Sequence, residues 1–173
     1  MEKEIILKVS EKLFYANKYT DIKLDNIAND LWIKKPSLYY YFKNKKDLFI
    51  QTLRYSADKY LQTLKNSIKI YDIDDFIEWY LTYPSKEKNL FAISFQKWIC
   101  SDKFIRGIVF HQKMNVYNLL NEYFREWGLD EVKIYLITNL LEKLSNDNCI
   151  TWYCLSYDID VLKKEIKKIF LDK

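Results

Sequence analysis

The run from Leu31 to Lys46, LWIKKPSLYYYFKNKK, holds five lysines and no acidic residue, and its apolar positions are spaced for a very short helix. Leu38 and Phe42, four residues apart, make one narrow apolar stripe. Upstream, Ile27, Ala28 and Leu31 make another. Two stripes this small, joined by a few residues, are best buried against each other. The sequence therefore predicts two short helices crossing at a tight turn, which is the helix-turn-helix arrangement. Pro36 suits the first turn of the second helix, where its missing N–H costs nothing. Packing this way leaves Lys35, Pro36, Ser37, Tyr40 and Tyr41 facing outward. Cations interleaved with hydroxyls and aromatic rings on a short helix match what a phosphate backbone and the edges of a DNA groove require.

The rest of the chain reads as longer helices. Only two glycines and two prolines serve 173 residues, which argues against turn-rich β folds. Ile50, Leu53, Ala57, Leu61, Leu64 and Ile68 recur at three- and four-residue steps, predicting one long amphipathic helix from Lys46 to about Tyr71. A shorter one follows over Ile73 to Tyr83, stopped by Pro84 and Ser85. Others span Glu87 to Cys100, Lys103 to Trp127, Asp130 to Leu155, and Asp158 to Leu171. Gly128 suits a C-terminal cap. The expected fold is all-α, with about nine helices and no strand. It comprises a three-helix helix-turn-helix domain over residues 1–48 and a helical domain over residues 49–173, joined inside the long helix.

The stretches LFYANKY, DNIA and KKPSLYYYFKNKKDLF resemble the N-terminal DNA-binding domain of the TetR/AcrR family of bacterial repressors. The resemblance runs from about Ile6 to Phe49 without a gap. Its most diagnostic part is Leu-Tyr-Tyr-x-Phe followed by Lys-x-Lys-x-x-Leu. Lys18 and Trp32 stand where the family commonly has glycine. Ile22 and Lys23 stand where it has Thr or Ser, Lys34 replaces a capping Ser, and Tyr41 replaces a common histidine. The resemblance implies a DNA-reading head. In it Lys35, Pro36 and Tyr40 meet base edges, while Ser37, Tyr39, Tyr41 and Lys45 meet phosphates. It also implies that the C-terminal domain encloses an effector pocket and pairs two copies of the chain.

Aromatic side chains make up 17% of the sequence and gather in its middle. Aromatics at helical spacing serve first as core. Their excess here also suits a cavity for a flat or greasy ligand, lined by some of Trp79, Tyr83, Phe95, Trp98, Phe110, Met114 and Tyr117. His111, Gln96, Asn115 and Tyr80 are polar groups that could orient it. Asp75 and Glu78 near Trp79 would suit a cationic ligand, although acidic residues on a helix commonly just face water. Near the C-terminus, Val132, Leu136, Leu140 and Leu144 form one stripe and Leu162, Ile166, Ile169 and Phe170 another. Two broad apolar faces predict a four-helix dimer interface; the bland alternative is that they close the monomer core.

Other chemistries find little support. One histidine cannot build a metal site, and there is no glycine-rich phosphate loop and no Ser-His or Cys-His arrangement, so neither enzyme activity nor a cofactor is expected. Three cysteines without paired spacing read as reduced thiols of a cytoplasmic protein. No run of 18 apolar residues suggests a membrane span. The sequence thus points to a dimeric, ligand-responsive repressor of double-stranded DNA. The second class it allows is the same fold used as a protein- or lipid-binding module, motivated by the glycine losses at Lys18 and Trp32.

Overall fold

A computed structural model describes residues 2–87, 89–93, 102–150 and 159–170. Among the described residues there are nine helices and no strand. They are α1 (Lys3–Ala16), α2 (Leu24–Asp30), α3 (Lys35–Tyr41), α4 (Lys45–Ile70), α5 (Ile73–Lys86), α6 (Leu90–Ile93), α7 (Lys103–Glu126), α8 (Glu131–Ile150) and α9 (Ile159–Phe170). The chain divides into two compact units, residues 1–60 with 88–109, and residues 61–87 with 110–173. Both α4 and α7 contribute to each unit.

Short polar side chains start most of these helices by accepting from N–H groups that would otherwise lack partners. Asp72 receives the N–H groups of Asp74 and Asp75, each at 3.0 Å. Asp102 receives those of Phe104 and Ile105 at the start of α7. Asp130 receives that of Lys133 in α8. At α4, Asn44 accepts from the Asp47 N–H at 2.9 Å while Asp47 accepts from the Lys43 N–H at 2.8 Å. α2 lacks the Ser or Thr that would cap it from outside. Asn26 compensates by accepting from the Lys23 N–H at 2.9 Å. Gly128 ends α7 as expected, in the left-handed conformation at φ 77°. Its N–H returns to the Arg125 carbonyl and that of Leu129 to Phe124.

Two boundaries differ from the sequence reading: the helix expected from Glu87 begins at Leu90, and α5 ends later than expected. α5 does not stop at Tyr83 but runs through Pro84 and Ser85 to Lys86. A proline removes a single intrahelical hydrogen bond, and within the last turn that loss is small enough for the helix to finish.

In the first unit the core is built on Ile6, Phe14, Ile27, Ala28, Leu38, Phe42, Leu48, Phe49 and Leu53, all buried. The rings of Phe14 and Phe49 meet edge-on at 4.8 Å. Beside them a polar cluster is also buried. The Ser56 hydroxyl donates to Glu11 Oε1 at 2.6 Å and accepts from the Phe91 N–H at 3.0 Å, and Asn89 Nδ2 donates to the Ser56 carbonyl. It ties α1, α4 and the start of α6 together, and each partner satisfies another. In the second unit, Phe76, Ile77, Leu81, Leu120, Phe124, Ile137 and Leu141 are buried. Phe76 meets Tyr123 at 4.6 Å between ring centres.

Candidate nucleic-acid interface

The two short helices form as the sequence reading expects. Ile27 and Ala28 of α2 and Leu38 of α3 are buried, with Phe42 just after α3. α2 packs on α1 and on α3. The turn between them, Leu31–Lys34, is pinned by backbone bonds from Trp32 N–H to the Asn29 carbonyl and from Ile33 N–H to the Ala28 carbonyl, both 3.0 Å. Burying Leu38 turns the opposite side of α3 outward. Pro36, Ser37 and Tyr39 are exposed, and Tyr40 is 83% exposed. Tyr41 is half-buried, its ring edge-on to that of Tyr40 at 4.9 Å. This one face brings together six of the seven expected DNA-contacting residues.

Two lysines carry internal partners. Lys35 Nζ lies 2.9 Å from Asp25 Oδ2, and that hydrogen bond and charge raise its pKa. Both side chains are largely exposed, so the pair is weak and is exchanged easily for phosphate oxygens. Lys45 is different. Its ammonium donates to the carbonyls of Tyr19 and Ile22, each at 2.9 Å, and sits 4.3 Å from the centre of the Tyr19 ring. The expectation from sequence gives this ammonium a phosphate; in the fold, two of its three N–H donors close the α1–α2 loop onto the start of α4.

The expected pocket residues are scattered. Trp79 and Tyr83 come together, with ring centres 4.8 Å apart, in an open cleft of ≈ 320 Å³ along α5. Tyr71, Asp75, Glu78, Thr82, Lys86 and Glu87 complete its lining. Phe110 is 61% exposed, His111 and Met114 are also exposed, and Tyr117 is half-buried on α7. Phe95 and Trp98 lie outside the described residues. Several aromatics of this region, Phe76, Tyr80, Tyr123 and Phe124, are core. Among the described residues no group of three His, Cys, Asp or Glu side chains could hold a metal ion. No helix there is long and apolar enough to cross a membrane.

Residues 6–52 match the family model for bacterial regulatory proteins of the tetR family. Over these residues the chain is similar to that family. No curated protein matches the chain in sequence. Among solved structures, the TetR-type fold extends over nearly the whole length. A TetR transcriptional regulator from Legionella pneumophila is 19% identical, with TM-score 0.80 and coverage of 98% of this chain and 97% of that one. A transcriptional regulator from Saccharomonospora viridis, in complex with choline, is 14% identical, with TM-score 0.75 and coverage of 97% and 96%. The regulator FadR from Bacillus subtilis, in complex with stearoyl-CoA, is 18% identical, with TM-score 0.72 and coverage of 97% of each chain.

The C-terminal helices show which apolar residues are spare. α9 lies on α5, where Lys163 Nζ reaches Glu78 at 2.9 Å and Lys167 Nζ reaches Asp74 at 2.8 Å. Ile166 and Phe170 share that side and are buried. Ile166, expected from sequence at the dimer interface, is 2% exposed in the single chain. Ile169, 60% exposed, and Leu136, 49% exposed, face outward, and Leu140, Leu144 and Leu162 are half-buried. Val132, at the head of the same stripe, is exposed as well, as are Tyr135 and Val161, which the sequence reading did not assign to the interface. The packing of α8 and of α9 on α5 separates these residues from their buried neighbours.

Proposed function

We propose that this chain is a homodimeric transcriptional repressor of the cytoplasm that binds a palindromic operator through α3 and is released by a small ligand. The observation that carries the proposal is the outward face of α3: Lys35, Pro36, Ser37, Tyr39 and Tyr40 on a helix anchored from behind by Leu38. Lys35, Pro36 and Tyr40 meet base edges, the proline and the ring as apolar contacts to thymine methyl groups. Ser37, Tyr39 and Tyr41 donate to phosphates. Residues 1–48 act as the reading head, and residues 49–173 bind the ligand and the second copy.

The exposed apolar residues of α8 and α9 support pairing, because contiguous apolar surface on a helix pair is costly to leave in water. Paired heads then read two half-sites about one helical turn apart. For the ligand, solved structures of the same fold in complex with stearoyl-CoA and with choline support the binding of a small molecule by this chain. The cleft at Trp79 and Tyr83 supplies aromatic surface for an apolar or aromatic ligand. The test is fluorescence anisotropy with a labelled duplex from upstream of the protein's own gene, against a scrambled duplex of equal length. Preferential binding of the native duplex is expected. Equal weak binding of both would remove sequence-directed reading.

A further inference from the structure

We propose that Trp32, in the turn that precedes α3, is itself a DNA contact, packing its indole on the sugar–phosphate strand that borders the groove α3 enters. The inference rests on the DNA-binding reading above. Two observations carry it. Trp32 has φ 56°, the only non-glycine residue with positive φ among those described. It is also 95% exposed, more than any other large hydrophobic residue of the described chain. The left-handed backbone is imposed by the turn, since the Trp32 and Ile33 N–H groups are both held by carbonyls of α2. A glycine meets that demand without strain, whereas a bulky side chain meets it with strain. The side chain gives folding nothing in return, because the ring buries almost no surface. Strain held at an exposed aromatic residue beside a binding face points to a partner.

Position and charge identify the partner. Trp32 stands three residues before Lys35, the first residue of α3, so their Cα atoms are at most about 10 Å apart. The major groove is about 12 Å wide. With the start of α3 at the base edges, Trp32 is therefore within reach of the strand that borders the groove. Lys34 and Lys35 flank the approach with positive charge, and no acidic residue lies between Leu31 and Lys46. A flat apolar ring covers the carbon face of a deoxyribose, and its indole N–H, a donor only, suits a phosphate oxygen. Such a contact adds affinity without reading sequence. Because the indole is neutral, it releases no counterion.

That neutrality sets the test. Binding of the full-length protein to a labelled mixed-sequence duplex is measured by anisotropy over a salt series for wild type, Trp32→Gly and Trp32→Asn. Asparagine also tolerates left-handed backbone but is stiffer than glycine. Both variants should bind roughly tenfold more weakly, with the slope of log affinity against log salt unchanged and the denaturant midpoint not lowered. Wild-type tryptophan fluorescence should also change on adding the duplex, and that change should be lost in Trp32→Phe. Undiminished affinity in both variants would overturn the role of Trp32 and leave the DNA-binding reading intact. Loss in Trp32→Gly alone would overturn it too, by assigning the effect to turn stiffness. Altered sedimentation with unaltered DNA affinity would place a second copy, not DNA, on the ring. Failure of the wild type to bind any duplex, the native upstream one included, would remove both proposals.

Discussion

Lys45 and Tyr40 show how residues of one motif divide between building the head and using it. The Lys45 ammonium is held by two backbone carbonyls and an aromatic face. Lys45→Ala should therefore lower unfolding stability by roughly 1–3 kcal/mol, since two part-buried carbonyls lose a charged donor. Urea titration followed by circular dichroism measures it, and a variant as stable as wild type would deny the lysine its structural part. Tyr40 touches almost nothing but the neighbouring Tyr41 ring. Tyr40→Ala should leave stability within about 0.5 kcal/mol of wild type. Its loss should fall on operator binding, at roughly 1–3 kcal/mol, with less effect on scrambled DNA. Nothing in local sequence separates these two outcomes. The outward side of α3 could be read from Leu38 and Phe42, because their four-residue spacing fixes one face. Lys45 could not, because its acceptors on Tyr19 and Ile22 lie 26 and 23 positions away and are brought to it only by the fold.

Helix boundaries followed the same division between local and distant causes. α4, α7 and the capping Gly128 were legible because periodicity and a left-handed stop are local signals. The end of α5 was not, because a proline in a last turn removes too little hydrogen bonding to end a helix by itself. Nor was the start of α2, where Asn26 caps from inside in place of the residue missing outside. The junction of α3 and α4 also sets an acid limit. Asp47 accepts from Gln51 Nε2 and from the Lys43 N–H, and these bonds hold its carboxyl below the ordinary value of 3.8. The Lys46 ammonium, with N–H groups of α7, lowers Asp102 in the same direction. A carboxyl with a lowered folded-state pKa contributes stability that is fully present above its unfolded pKa and is lost as pH falls through the folded value. Stability from these two groups should thus be level from neutral pH to about 5 and decline below about 4. Thermal unfolding of wild type and Asp47→Asn across that range checks it. The variant should be less stable at neutral pH and converge on wild type at low pH; parallel curves would exclude Asp47 as a source of the decline.

At the scale of the whole molecule the proposed activity depends on a second copy and on a ligand, and α9 separates the two requirements. Ile169→Glu places a carboxylate on the exposed side of α9, and Ile166→Glu places one in the core, three residues away. The first should give a folded monomer and the second a destabilised chain, because a carboxylate buried without a partner is strongly unfavourable. Sedimentation with circular dichroism distinguishes them, and a folded Ile169→Glu dimer would move the interface off this surface. The ligand prediction follows from linkage. If an effector lowers operator affinity by some factor, operator must lower effector affinity by that same factor, because both report one coupling free energy. Trp79 borders the cleft and supplies the signal. Choline and a long-chain acyl-CoA, the compounds held by two solved relatives, are natural first probes beside a panel of aromatic compounds. A true effector should change Trp79 fluorescence in free protein, with the change lost in Trp79→Phe, and bind several-fold more weakly once operator is saturating. The factor should equal the loss of operator affinity measured in the reverse titration. A compound that alters Trp79 fluorescence but binds free and DNA-bound protein equally occupies the cleft without controlling the head, since equal affinity for two states shifts neither.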